Sequence, residues 1–186
     1  MKVIPYIKNL VEKQARSKEN FYGYSAYTYH IVIVANLAKK LAKMRKADQE
    51  ITEIAAWLHD IASLQHKDFY KDHHIIGAKE TKRILKKINY PDEKIEVICD
   101  AIFAHRGSKS IPRKTVEAQC LADADAMAHF LAVYDLLFMV YVIYKMNTDD
   151  GKNYVKNKLQ RSWNKLSSDA RTLIKKEYQA AMIILK

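Results

Sequence analysis

Residues 55–62 read Ala55-Ala56-Trp57-Leu58-His59-Asp60-Ile61-Ala62, an apolar stretch that ends in an imidazole beside a carboxylate. An ionised carboxylate directly after such a turn is costly to bury unless a cation neutralises it. Asp48 can cap the helix that leads in, and Ile51, Ile54, Ala55 and Leu58 recur at helical spacing on one face. The reading is a buried helix that delivers His59 and Asp60 at its end, near Ile61.

The same periodicity extends in both directions. A first helix is predicted over residues 3–17, with Pro5 in its opening turn, and Gly23 and Ser25 mark a break. A second covers residues 26–46, with His30, Ile33, Val34, Leu37, Ala38 and Leu41 along one face. Residues 63–72 lack periodicity and read as a loop. A fourth helix spans 73–88, and Pro91 opens a fifth that runs to His105. Residues 106–114 form a second loop. Thr115 can cap one long helix over 116–146, which Asn147, Asp149, Asp150 and Gly151 end. One or two C-terminal helices follow, with Ser167 or Ser168 as a cap. Only four glycines and three prolines punctuate the chain, too few for the tight turns of a strand-rich fold. The fold class is therefore all-α, a compact helical bundle with a helical C-terminal extension. At 186 residues the chain reads as a single domain, residues 1–186. Its motif-bearing core covers about 26–130 and its C-terminal helices about 131–186.

Lys and Arg number 32 against 21 acidic residues, a formal net charge of +11. Such a surface attracts phosphate-bearing partners: small anionic substrates, or nucleic acid. Residues 145–186 alone carry ten basic and four acidic side chains, spread along helical patterning, and read as a solvated lysine-rich face. Cys99 and Cys120 sit in apolar surroundings without a CxxC pair, as expected of core residues in a reducing cytoplasm. No signal-peptide run opens the chain, and the most apolar run, 136–144, is half the length of a membrane span.

All seven histidines lie between His30 and His129. His30, the His59-Asp60 pair, His74, His105 and Asp125 fall near helix ends or on apolar faces, where a polar side chain needs a partner. Imidazole and carboxylate without thiolate suit Mn, Fe, Co, Ni, Mg or Zn in higher coordination, rather than a structural zinc site.

The order His30, His59-Asp60, and then an Asp in Leu121-Ala122-Asp123-Ala124-Asp125-Ala126-Met127-Ala128 resembles the HD-domain superfamily of metal-dependent phosphohydrolases. The resemblance covers about residues 26–130. It implies an all-helical fold in which His30, His59, Asp60 and Asp125 hold one divalent ion. Asp125 fits the last ligand position better than Asp123, because Met127 takes the apolar place two residues on; Asp123 is then a supporting carboxylate. His74-Ile75-Ile76-Gly77-Ala78 and Ile102-Phe103-Ala104-His105 are similar to two further elements of that family. They offer His74 and His105 for a second metal ion, the attacking water, or phosphate oxygens. His66, His73 and His129 match nothing and read as surface or filler.

The resemblance implies hydrolysis of a phosphoester or phosphoanhydride in a small substrate, a nucleotide foremost. Asp60, His74 and His105 are the catalytic candidates. Lys67, Lys71, Arg106 and Lys109, in the two loops beside the motifs, are the phosphate-binding candidates. Arg106-Gly107-Ser108 stands where the Gly-Tyr-Pro element of cyclic-dinucleotide phosphodiesterases would begin, which argues against that substrate class. Two alternatives stand beside hydrolysis: a dinuclear-iron oxygenase using the extra histidines, and a non-catalytic module binding nucleotide or nucleic acid. A cytoplasmic protein without a membrane anchor is expected.

Overall fold

The computed structural model describes residues 2–106 and 111–186. Every regular element among them is helical. Helix α1 (Val3–Ala15) leads to a π turn (Tyr27–Ile31) that runs directly into α2 (Val32–Arg45). Next come α3 (Gln49–Leu58), α4 (Ile61–Gln65), a 3-10 segment (Lys67–Asp72), α5 (His73–Lys87) and α6 (Asp92–Ala104). Then follow α7 (Val116–Leu131), α8 (Val133–Phe138), a second π turn (Met139–Ile143), α9 (Thr148–Lys165), α10 (Ser168–Leu173) and α11 (Lys175–Ile184).

Several ends are fixed by the residues that the sequence offered. Asp48 accepts from the backbone N–H groups of Glu50 and Ile51, and Thr115 from that of Ala118, which satisfies otherwise orphaned donors. Ser167 stands at the N-cap of α10, but its hydroxyl lies 2.6 Å from carboxylate oxygens of Asp123 and Asp169, to one of which it donates, instead of capping. Ile54, Leu58, Leu85, Ile98, Ile102 and Leu121 are fully buried and join α3, α5, α6 and α7 into one core.

Two expectations are corrected. The loop predicted over 63–72 is instead largely helical, as α4 followed by the 3-10 segment. Each piece is too short to display a periodicity, and four-residue turns hold the stretch together. The long helix predicted over 116–146 breaks at Ala132, where α7 and the segment after it bend by 74°. Ala132 leaves helical geometry at φ −127° and ψ 44°, with neither Gly nor Pro to announce it. After the bend α8 lies beside the first π turn, where Tyr134 meets the Tyr29 ring edge-on at 5.3 Å. No single helix among the described residues is long and apolar enough to cross a membrane.

Candidate metal centre

The centre is built from helix ends and one irregular turn. His30 lies in the π turn, a distortion that recurs at functional positions because it re-aims a side chain. His59 ends α3, and Asp60 leaves helical geometry between α3 and α4 at φ −109°. His73 opens α5 and His105 ends α6. Asp125 projects from the middle of α7.

These side chains converge. His30 Nε2 lies 3.2 Å from His59 Nε2, 3.4 Å from Asp60 Oδ2 and 3.5 Å from Asp125 Oδ1. The other oxygen of Asp60 lies 3.5 Å from His73 Nε2, which in turn is 3.1 Å from His105 Nε2. Asp60 therefore stands between two donor groups: His30 with His59 on one side, and His73 with His105 on the other. His129 joins Asp125 and His30 in a third grouping, its ring stacked 5.2 Å from that of His30.

Backbone carbonyls fix which nitrogen each of three rings presents. His59 Nδ1 donates to the Ala56 carbonyl at 2.7 Å, His73 Nδ1 to that of Tyr70 at 2.7 Å, and His105 Nδ1 to that of Ile102. A carbonyl only accepts, so each Nδ1 carries a proton, and in the neutral ring Nε2 keeps its lone pair. Burial holds His59 below its ordinary pKa and pushes His105 down to about 3. Lone pairs converging at such distances repel unless a proton or a metal cation lies between them. Imidazoles oriented through Nδ1–H to a backbone carbonyl are what metal centres use to aim Nε2 inward. The donor set thus fits a divalent ion at His30, His59 and Asp60, and offers further places at His30, Asp125 and His129 and at Asp60, His73 and His105.

Charge favours a cation as well. Burial opposes ionisation of Asp60, but the imidazoles of His59, His30 and His73 outweigh it and hold the carboxyl well below its usual range. For His30 burial opposes protonation, yet Asp60 and Asp125 raise its pKa. Two carboxylates at the heart of a ring of histidines make the centre electronegative.

The structure separates neighbours that the sequence could not. His74 follows His73 by about 100° around α5, so it turns away from Asp60 and stacks 5.6 Å from the Phe103 ring, with Arg106 3.4 Å from its Nδ1. His73, read as filler, faces the centre in its place. His129, also read as filler, is 13% exposed and belongs to the cluster, while His66 caps the 3-10 segment at the surface. Asp123 lies two residues before Asp125 and faces elsewhere, paired with Arg45 at 2.8 Å and accepting from Ser167.

Among the loop cations, Arg106 lines the cleft over the centre. Lys71 is exposed and contributes its carbonyl to Arg106, and Lys67 sits over the Phe21 ring, 5.8 Å away. Lys109 lies outside the described residues. The other cations that line the cleft come from α9: Lys158, Arg161 and Lys165. The solvated-face reading of the C-terminal region fails here. Lys165 is only 5% exposed and meets Asp125 Oδ2 at 2.6 Å. Their spacing of three and four residues, beside buried Val155, Leu159 and Ser162, is the signal that marks one inward face.

The HD domain family model matches residues 27–129. Over 107 residues the chain is 33% identical to a ribonuclease Y of Wolinella succinogenes; the match covers 58% of this chain but 18% of that protein. Bacillus subtilis YpgQ superposes with a TM-score of 0.73 at 18% identity, covering 99% of this chain and 92% of that one. The complex of YpgQ with ADP gives 0.67 over 95% and 90%. A protein described as a predicted HD superfamily hydrolase, from an uncultured Thermotogales bacterium, gives 0.57 at 22% identity over 84% of each chain. At these identities the structural likeness concerns the fold alone.

Proposed function

The chain belongs to the HD domain family, and from that premise we propose that it hydrolyses a phosphoester or phosphoanhydride bond of a nucleotide, using a divalent metal ion. The observation that carries this reading is the pair of imidazole groups on either side of Asp60, with Nε2 atoms turned inward, under a cleft lined by Arg106, Lys158, Arg161 and Lys165. Donors for a metal and donors for phosphate oxygens face the same space. The binding of ADP by YpgQ supports a nucleotide as the substrate.

A divalent ion held by His30, His59, Asp60 and Asp125 would lower the pKa of water and draw charge from a phosphoryl oxygen. The chain's own residues do the rest. Asp60 orients the donor rings from both sides. Arg106, Lys158 and Arg161 bind phosphate oxygens and offset the charge that develops on them. His73 and His105, rather than His74, stand where a proton could be held beside the reacting phosphate.

The test is phosphate or pyrophosphate release from a nucleotide panel with Mn, Co, Ni or Mg supplied. His59→Ala and Asp60→Ala should each lose bound metal and turnover together; full activity in either would overturn the reading. A second reading, cleavage of an RNA phosphodiester, draws on the ribonuclease Y likeness and the +11 charge. It requires shortening of an RNA oligonucleotide by a metal-dependent activity that weakens steeply with salt.

A further inference from the structure

The cleft over the centre has two unlike halves. One is the polar half with Arg106, Arg161 and Lys165. The other is walled by Tyr22, Tyr29, Leu136, Phe138 and Met139. Both halves are lined by His30, Asp60, Tyr70, His129 and Lys158, so one ligand can occupy the two together. The opposition of aromatic and cationic walls suits a small molecule that is itself part ring and part phosphate.

Away from the residues that the two halves share, a carboxylate stands among the apolar walls of the second half. Asp135, on α8, lines it and forms no ion pair with any cation among the described residues; Ser25, across the cleft, is the polar side chain beside it. Burial pushes its carboxyl up, opposed by Ser25 and His30. An alkyl chain filling this half would leave the Asp135 carboxylate with Ser25 as its one neighbouring hydroxyl donor and its remaining acceptor capacity unmet, a costly arrangement. A flat ring with N–H groups on its edge satisfies both the walls and the carboxylate.

We propose that the apolar half seats the base of the substrate and that Asp135 reads its N–H edge, with guanine favoured. Guanine presents two adjacent in-plane N–H donors, which match the two oxygens of a carboxylate in a paired arrangement. The aromatic rim, where Phe138 is 45% exposed and Tyr29 41%, gives the ring faces to stack upon. The proposal rests on the phosphohydrolase reading for the position of the phosphate, which places the base on the opposite side of His30 from Lys165.

The experiment is calorimetric titration of the metal-loaded protein with hydrolysis-resistant phosphonate analogues of guanosine, inosine and ribose monophosphates. Inosine lacks only the 2-amino group. The guanosine analogue should bind at least about tenfold more tightly than the inosine analogue, since a site built to bond a donor rejects the ligand lacking it. Asp135→Asn should abolish that preference. Phe138→Ala, at the exposed rim, should weaken both nucleosides relative to ribose and keep their order. Equal binding of all three analogues, or a guanine preference that survives in Asp135→Asn, would overturn the proposal. Phosphate or pyrophosphate release from the natural mono-, di- and triphosphates, measured in parallel, separates the two claims. A guanine preference lost in Asp135→Asn but without turnover upholds the base site and removes the hydrolase reading. Turnover with indifferent binding does the reverse.

Discussion

Lys165 Nζ donates to Asp125 Oδ2 at 2.6 Å and to the His105 carbonyl at 2.9 Å. A C-terminal helix thereby reaches into a centre otherwise assembled from residues 30–129. Burial alone would keep Asp125 protonated, but Lys165, then His129 and His30, hold its carboxyl well below the usual range. The pair is almost wholly enclosed, at 5% and 10% side-chain exposure.

Removing one member of such a pair leaves the other charge buried alone. Lys165→Met should therefore cost about 3–5 kcal/mol in the presence of a chelator. Because a metal ion at the centre would also neutralise Asp125, added Mn should restore part of the loss. Urea denaturation with EDTA and with Mn checks both effects. Lys156→Met, on the exposed side of the same helix, should stay within about 0.5 kcal/mol of wild type. An equal effect of the two substitutions would show that the Lys165 pair is not special.

His73 Nε2 faces His105 and Asp60, whereas His74 stacks on Phe103. His73→Ala should lower the metal content per chain or its affinity by at least about 10–100-fold, the range seen even for groups that only orient ligands. His74→Ala should leave metal content intact and act on stability alone. Elemental analysis after dialysis against limiting Mn decides it. Metal lost in His74→Ala and kept in His73→Ala would restore the assignment that the sequence suggested.

That pair of histidines shows where the sequence ran out. The helices were legible because Ile51, Ile54 and Leu58, or Leu37, Ala38 and Leu41, repeat the period of a buried face, and because Asp48 and Thr115 announce their helix starts. His30 and His59 lie 29 residues apart, and only the resemblance to a family, not periodicity, could bring them together. Adjacent positions such as 73 and 74 differ only by rotation about α5, which is set by how that helix packs. The bend at Ala132 has no Gly or Pro to mark it. Lys165 sits 40 residues beyond its partner, and a lysine that serves a buried carboxylate looks, in sequence, like one that faces water.

Acid stability should reveal a separate electrostatic node. Asp169 accepts from Arg45 at 2.8 and 2.9 Å and from the Ser167 hydroxyl, and these bonds depress its pKa to about 2 from 3.8. A depressed carboxylate contributes stability that is fully present above its unfolded pKa and is lost as pH falls through the folded one. The window is thus from about pH 4 down to about pH 2. Between pH 5 and pH 3, Asp169→Asn should lose less stability than wild type, since it has no charge to lose. Paired urea titrations at the two pH values measure this, and parallel losses in both proteins would remove Asp169 from the account of acid unfolding. Its side chain is largely exposed, so salt should weaken the effect.

Gly151 is buried in the first turn of α9 against Tyr141, and a Cβ placed there would lie 2.3 Å from Tyr141 Cε1. Alanine in a helix is ordinarily worth about 1 kcal/mol more than glycine, so propensity alone predicts a gain from Gly151→Ala. Packing predicts the opposite, since overfilling a tight contact costs about 1–3 kcal/mol. The ring cannot simply swing aside, because the Tyr141 hydroxyl donates to the Thr148 carbonyl at 3.0 Å and that bond would be lost. The steric cost should win, and Gly151→Ala should destabilise the protein. The decisive comparison is made in a Tyr141→Ala background, where the obstructing ring is gone. There the same Gly151→Ala change should become stabilising, by thermal or urea denaturation. Loss of stability in both backgrounds would mean that Gly151 is required for a reason other than its contact with Tyr141.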